Sequence, residues 1–67
     1  MDFNFSPRQI YRILRNQKKI KLKELAKAVG VSIPMLSMYE NEIANLQEEK
    51  EHLYRSYITN SVKKGGI

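Results

Sequence analysis

The sequence contains no cysteine, so disulfide staples and thiolate metal sites are excluded, and its single histidine, His52, cannot assemble a zinc site by itself. A reducing compartment fits this composition. The N-terminus, MDFNFSPRQIYR, has no apolar run of signal-peptide length, and no stretch approaches the roughly 18 apolar residues of a membrane span. A cytoplasmic location and no membrane partner are expected. With no thiol, one imidazole and scattered carboxylates, there is no nucleophile–base pair, metal cluster or glycine-rich phosphate loop. Glu48, Glu49 and Glu51 read as the solvent-facing side of a helix rather than as acid–base catalysts. No catalytic residue, no metal and no cofactor is expected, and hence no enzyme. A chain of 67 residues makes one domain at most. It buries only about 60% of its unfolded surface, so it is marginal alone and oligomerisation is the expected remedy.

What is present is unevenly placed. The net charge is +5. Residues 1–35 carry eight Lys and Arg (Arg8, Arg12, Arg15, Lys18, Lys19, Lys21, Lys23, Lys27) against Asp2 and Glu24, a net of +6. Residues 36–62 carry five Glu against Lys50 and Arg55, a net of −3, and Lys63 and Lys64 restore +2. A basic half is the electrostatic footprint of a nucleic-acid binder, and the acidic half is expected to turn away from phosphate.

Helix signals follow one another closely. Ser6 reads as an N-cap, Pro7 as the first helical residue, Gln9 as the other half of a capping box, and Phe5 with Ile10 as a hydrophobic staple. The first helix is expected to run to about Gln17, with Ile10, Ile13 and Leu14 as its apolar face and Ile20 packing inward after it. In residues 22–41, Leu25, Ala26 and Val29 make one apolar stripe on a short second helix. Gly30 stops that helix, because glycine takes the left-handed conformation of a helix end and tight turn at no side-chain cost. Ser32 then caps a third helix, with Pro34 in its first turn and Leu36 and Tyr39 facing back toward Leu25 and Val29. Two short helices set at a sharp angle in this way would build a DNA-binding surface.

Leu25-Ala26, Gly30-Val31-Ser32, Leu36-Ser37 and Glu40-Asn41, with Leu14-Arg15 upstream, resemble the helix-turn-helix of the Cro/cI repressor class, the XRE family, over about residues 8–41. The resemblance implies an ion pair between Arg15 and Glu40 that joins the first helix to the end of the third. It also implies base contacts from the first turns of the third helix, and backbone contacts near the start of the second. The expected DNA-binding set is Arg8, Lys21 and Lys23 on phosphates, with Ser32, Ile33, Pro34, Met35, Ser37, Met38 and Asn41 in the major groove. Of the residues facing bases, only Ser37 and Asn41 can hydrogen-bond well, so phosphate contacts and DNA shape should carry much of the affinity. After Asn41 the likeness ends, for the family usually has glycine where Glu42 stands, followed by a loop with proline.

Residues 35–62 contain neither glycine nor proline. Leu36, Tyr39, Ile43, Leu46, Lys50, Leu53 and Tyr57 are spaced 3, 4, 3, 4, 3 and 4 apart, the pattern of a heptad repeat. A continuous helix of about 27 residues would be ~40 Å long. Ile43, Leu46, Lys50, Leu53 and Tyr57 would then form a dimer seam, with Lys50 as the polar residue that sets register. The alternative is a third helix ending near Asn41 and a separate helix capped by Asn45, with Glu48 completing an N-x-x-E box, its apolar face finishing the monomer's own core. The expected fold is therefore all-α, a three-helix helix-turn-helix domain (residues 1–41) followed by a long C-terminal oligomerisation helix with coiled-coil-like heptads (42–62) and a flexible tail (63–67). The expected function is that of a small DNA-binding transcriptional regulator of phage or plasmid repressor type, gripping double-stranded DNA as a homodimer. The rival is an anti-repressor or modulator that turns Ile33, Met35 and Met38 to another regulatory protein. A third reading, a structural coiled-coil oligomer with incidental basic charge, is weaker.

Overall fold

The computed structural model describes residues 5–61, so the tail expected at 63–67 lies outside the described residues. They form four helices, α1 (Pro7–Gln17), α2 (Leu22–Val29), α3 (Ile33–Glu40) and α4 (Glu48–Asn60), and no strand.

Local chemistry accounts for the first three. Ser6 Oγ accepts from the Gln9 N–H at 3.3 Å and Gln9 Oε1 accepts from the Ser6 N–H at 2.8 Å, closing the capping box that starts α1. The expected apolar face of α1 is rotated. Tyr11 and Leu14 turn inward, whereas Ile10 and Ile13 are 52% and 43% exposed and Phe5 stays 55% exposed. Ile20 is buried after the turn, and reaching it takes Lys19 through a left-handed conformation, φ 57°. Gly30 ends α2 at φ 86°, its N–H on the Ala26 carbonyl at 2.8 Å. A side chain there would be strained and would crowd the Lys50 ammonium, which lies 3.0 Å from where the Cβ would stand. Ser32 then caps α3 by accepting from the Met35 N–H at 3.2 Å.

The long C-terminal helix is not what forms. The helical run stops at Glu40, Glu42 turns left-handed at φ 62°, and the N–H groups of Ile43 and Ala44 both return to the Met38 carbonyl, at 2.8 and 3.2 Å. Gln47, rather than Asn45, occupies the N-cap of α4 and makes no side-chain cap bond. The connection between Glu40 and Glu48 is seven residues, one full heptad, so the 3-4 spacing keeps its phase across a break and reads as one helix. Leu36 and Tyr39 are buried in the core, and Leu46 and Tyr57 pack against it. Lys50 is half-buried, while Ile43 and Leu53 are exposed.

The core consists of Ile20, Leu25, Ala26, Val29, Leu36, Tyr39, Tyr54 and Ile58, drawn from both sides of residue 41. Both α3 and α4 pack on α1 and α2, and their backbones do not meet each other. Only side chains bridge them, chiefly the Tyr39 and Tyr54 rings, edge to face with centroids 5.1 Å apart. Lys18 donates to the Ile58 and Thr59 carbonyls at 2.6 and 3.1 Å, supplying the cation that the last turn of α4 lacks.

Candidate nucleic-acid interface

A helix rises with 3.6 residues per turn, so burying Leu36, Tyr39 and Glu40 on one side of α3 leaves Ile33, Pro34, Ser37, Met38 and Asn41 on the other. Ile33, Pro34, Met38 and Asn41 are exposed, Ser37 and Met35 are half-buried, and α4 does not cover this face. Ser32 lies exposed at its start, its oxygen occupied as the cap.

The polar side chains of this face are partly engaged already. Asn41 Nδ2 donates to the Ser37 carbonyl at 2.8 Å, and Asn41 Oδ1 accepts from Arg12 Nη1 at 3.2 Å. Arg12, an exposed residue of α1, is thereby held beside the end of α3. Nothing in the sequence near Arg12 points there, because the partner is 29 residues away. Lys21, Lys23 and Lys27 are exposed on and beside α2, with Lys21 at its N-cap and no side chain capping that end. Arg8 has partners within the protein. Its Nη1 donates to the Tyr39 and Ala44 carbonyls at 3.4 and 3.0 Å, its Nη2 donates to Asn45 Oδ1, and the guanidinium stacks 4.4 Å from the Tyr39 ring centroid. Arg8 thus ties the start of α1 to the loop that leaves α3.

Behind the face, a buried polar network fixes the angle of α3. Arg15 meets Glu40 through two parallel bonds, Nε to Oε2 at 2.7 Å and Nη2 to Oε1 at 2.9 Å, and its Nη1 donates to the Ile20 carbonyl at 2.9 Å. Tyr54 adds a third donor to the same carboxylate at 2.7 Å. Tyr39 donates to Glu51 at 2.6 Å and Tyr57 donates to Glu24, so three tyrosines lock α4 to the helices beneath it.

These tyrosines hold their protons tightly. Burial, and then the bond to Glu51, pushes Tyr39 up to about 12. Burial, followed by the bond to Glu40, also raises Tyr54, and the bond to Glu24 is the main cause of the rise at Tyr57. The folded state therefore keeps protons that the unfolded chain releases near pH 10. The contribution of Tyr39 to stability is whole below pH 10 and is lost as pH rises toward about 12. Urea midpoints should fall between about pH 9 and about pH 11, and the fall should be shallower for Tyr39→Phe. Parallel profiles for the two proteins would remove Tyr39 from the titration.

Two short helices hinged at a left-handed glycine, the second presenting an uncovered face flanked by cations, define a helix-turn-helix domain. The profile of the family described as Helix-turn-helix matches residues 6–50, and the chain belongs to this XRE-type family. It is a DNA-binding regulator of that type. No curated protein and no solved structure shows significant similarity to it. No helix among the described residues is long and apolar enough to cross a membrane.

Proposed function

We propose that the chain is a repressor-type transcriptional regulator that lays the outer face of α3 in the major groove of duplex DNA as a homodimer. The observation that carries this reading is an uncovered α3 with exposed Arg12, Lys21, Lys23 and Lys27 around it. Lys21 and Lys23 hold phosphates at the start of α2, and Arg12 holds one at the end of α3. Arg8 acts mainly by setting the loop after α3, given its bonds to Tyr39, Ala44 and Asn45. Ser32, Ile33, Pro34, Met35, Ser37, Met38 and Asn41 make up the groove-facing surface. Ile43 and Leu53, the exposed members of the stripe, bring two protomers together, with Leu46, Lys50 and Tyr57 at the margin of that contact.

A second reading, capture of another regulator, draws on the apolar character of the same face. Anisotropy titrations of a labelled duplex at several salt concentrations separate the two. Three phosphate contacts from each protomer, about six in the dimer, should give a slope of log K on log salt of about −5.4, near −0.9 for each. The slope should flatten by about two-thirds in Lys21→Glu/Lys23→Glu. No binding at about 50 mM salt, or binding indifferent to salt, would favour the protein partner. Sedimentation at tens of micromolar addresses the homodimer separately, and a monomer there would remove that part of the proposal alone.

A further inference from the structure

We propose that the groove-facing surface selects A·T base pairs by packing Ile33, Pro34 and Met38 against thymine methyl groups, rather than by hydrogen-bonding to base edges. The inference rests on the DNA reading above and specifies what part of the DNA is read. Residues Ile33–Glu40, IPMLSMYE, include no Arg, Lys, Asn or Gln. Those are the side chains that grip guanine or adenine edges through two bonds at once, so α3 has no such grip within its own length. Asn41 follows immediately, but an adenine contact needs both ends of its amide. Both are in use, the nitrogen on the Ser37 carbonyl at 2.8 Å and the oxygen on Arg12 at 3.2 Å. The apolar residues, by contrast, stand outward where bases would lie. Ile33 is 43% and Met38 39% exposed, and Pro34 between them is exposed as well. None of the three belongs to the core.

The one apolar feature that a B-DNA major groove offers is the thymine methyl, and contact with it is how apolar side chains discriminate there. A methionine beside a rigid isoleucine and proline suits that surface, because its unbranched thioether can settle against methyls at more than one position. Selection by methyl contact is coarse in sequence and strict in chemistry. It tracks where C5-methyl groups fall in the groove, whichever base bears them.

The test removes and adds that methyl with the phosphates left in place. Duplexes of about 24 base pairs, long enough for two half-sites one helical turn apart, are compared in pairs. One pair is an alternating A·T duplex made with thymine or with uracil, and the other is a mixed G·C-rich duplex made with cytosine or with 5-methylcytosine. Uracil for thymine should weaken binding about fourfold for each methyl in contact, the worth of one buried methyl group, with the salt slope unchanged. Methylated cytosine should tighten binding in the same proportion. Ile33→Ala and Met38→Ala should shrink both differences while leaving the melting temperature near that of the parent, since neither side chain is buried. Equal affinity for the thymine and uracil duplexes would overturn the methyl reading and leave DNA binding intact. No affinity for any duplex would overturn both, and would give the apolar face to a protein partner.

Discussion

Glu40→Ala is expected to unfold most of this domain near room temperature. The Glu40 side chain is 4% exposed and its Arg15 partner 12% exposed, so removing the carboxylate strands a guanidinium in a place that water hardly reaches. The Tyr54 hydroxyl loses its acceptor at the same time. Breaking a buried pair from one side costs about 3–5 kcal/mol. A core of this size seldom supplies more than about 3–5 kcal/mol in total, so the loss consumes the margin. In a domain of this length 1 kcal/mol moves the melting temperature by about 4–8 °C, which puts the expected fall above about 12 °C. Replacing both partners with apolar residues, Arg15→Met with Glu40→Leu, should restore a good part of it, because no charge is then left alone. Circular dichroism melts of the three proteins decide the matter. A fall below about 5 °C for Glu40→Ala would mean that water reaches Arg15 once its partner is gone.

Tyr54→Ala should be nearly as damaging. Its side chain is fully buried, set edge to face against Tyr39 at 5.1 Å and Tyr11 at 6.4 Å, and its hydroxyl reaches Glu40. Truncating so large a buried ring costs about 3–5 kcal/mol, while Tyr54→Phe, which deletes only the hydroxyl, should cost about 1–3 kcal/mol. The contrast between the two variants bears on what α4 is for. A helix that served only to join protomers would tolerate Tyr54→Ala with no change in the melting temperature of a dilute sample.

What the residues themselves made legible was local, and the one distant pair expected, Arg15 with Glu40, came from the family resemblance and is present. Ser6 with Gln9, Gly30 and Ser32 with Pro34 each act within three or four residues of themselves, so helix starts and the central turn could be placed by capping chemistry. The C-terminal half could not. Heptad spacing selects Leu53 and Tyr57, whereas the fold buries Tyr54 and Ile58, one position further round the helix. The same slip affects α1, where Tyr11 anchors the inner face and Ile10 and Ile13 are left outside. Tyrosines account for both errors, Tyr11 through its ring, set edge to face on Tyr54, and Tyr54 through its hydroxyl as well. A pattern of apolar residues gives no credit to a ring that enters the core because a glutamate waits there for its proton, as Glu40 does for Tyr54. Arg8 with Asn45 and Arg12 with Asn41 were out of reach for another reason, since pairs 37 and 29 residues apart are set by tertiary packing alone.

The uneven charge of the helices acts before any contact with DNA is made. Helices α1 and α2 carry Arg8, Arg12, Arg15, Lys23 and Lys27 against Glu24, whereas α4 carries Glu48, Glu49 and Glu51 against Lys50 and Arg55, so the charge is lopsided. In the field of a polyanion such a body feels a torque as well as a pull, and it tumbles toward the duplex with the basic side leading. Fewer collisions are then wasted on the wrong side. At about 0.1 M salt the field decays over roughly 10 Å, well within the 36 Å long dimension of the protein. The carboxylates of α4 are thus felt during reorientation and largely screened once α3 is seated. Their contribution belongs to the rate of arrival, and it should fade with added salt while the docked complex scarcely registers them.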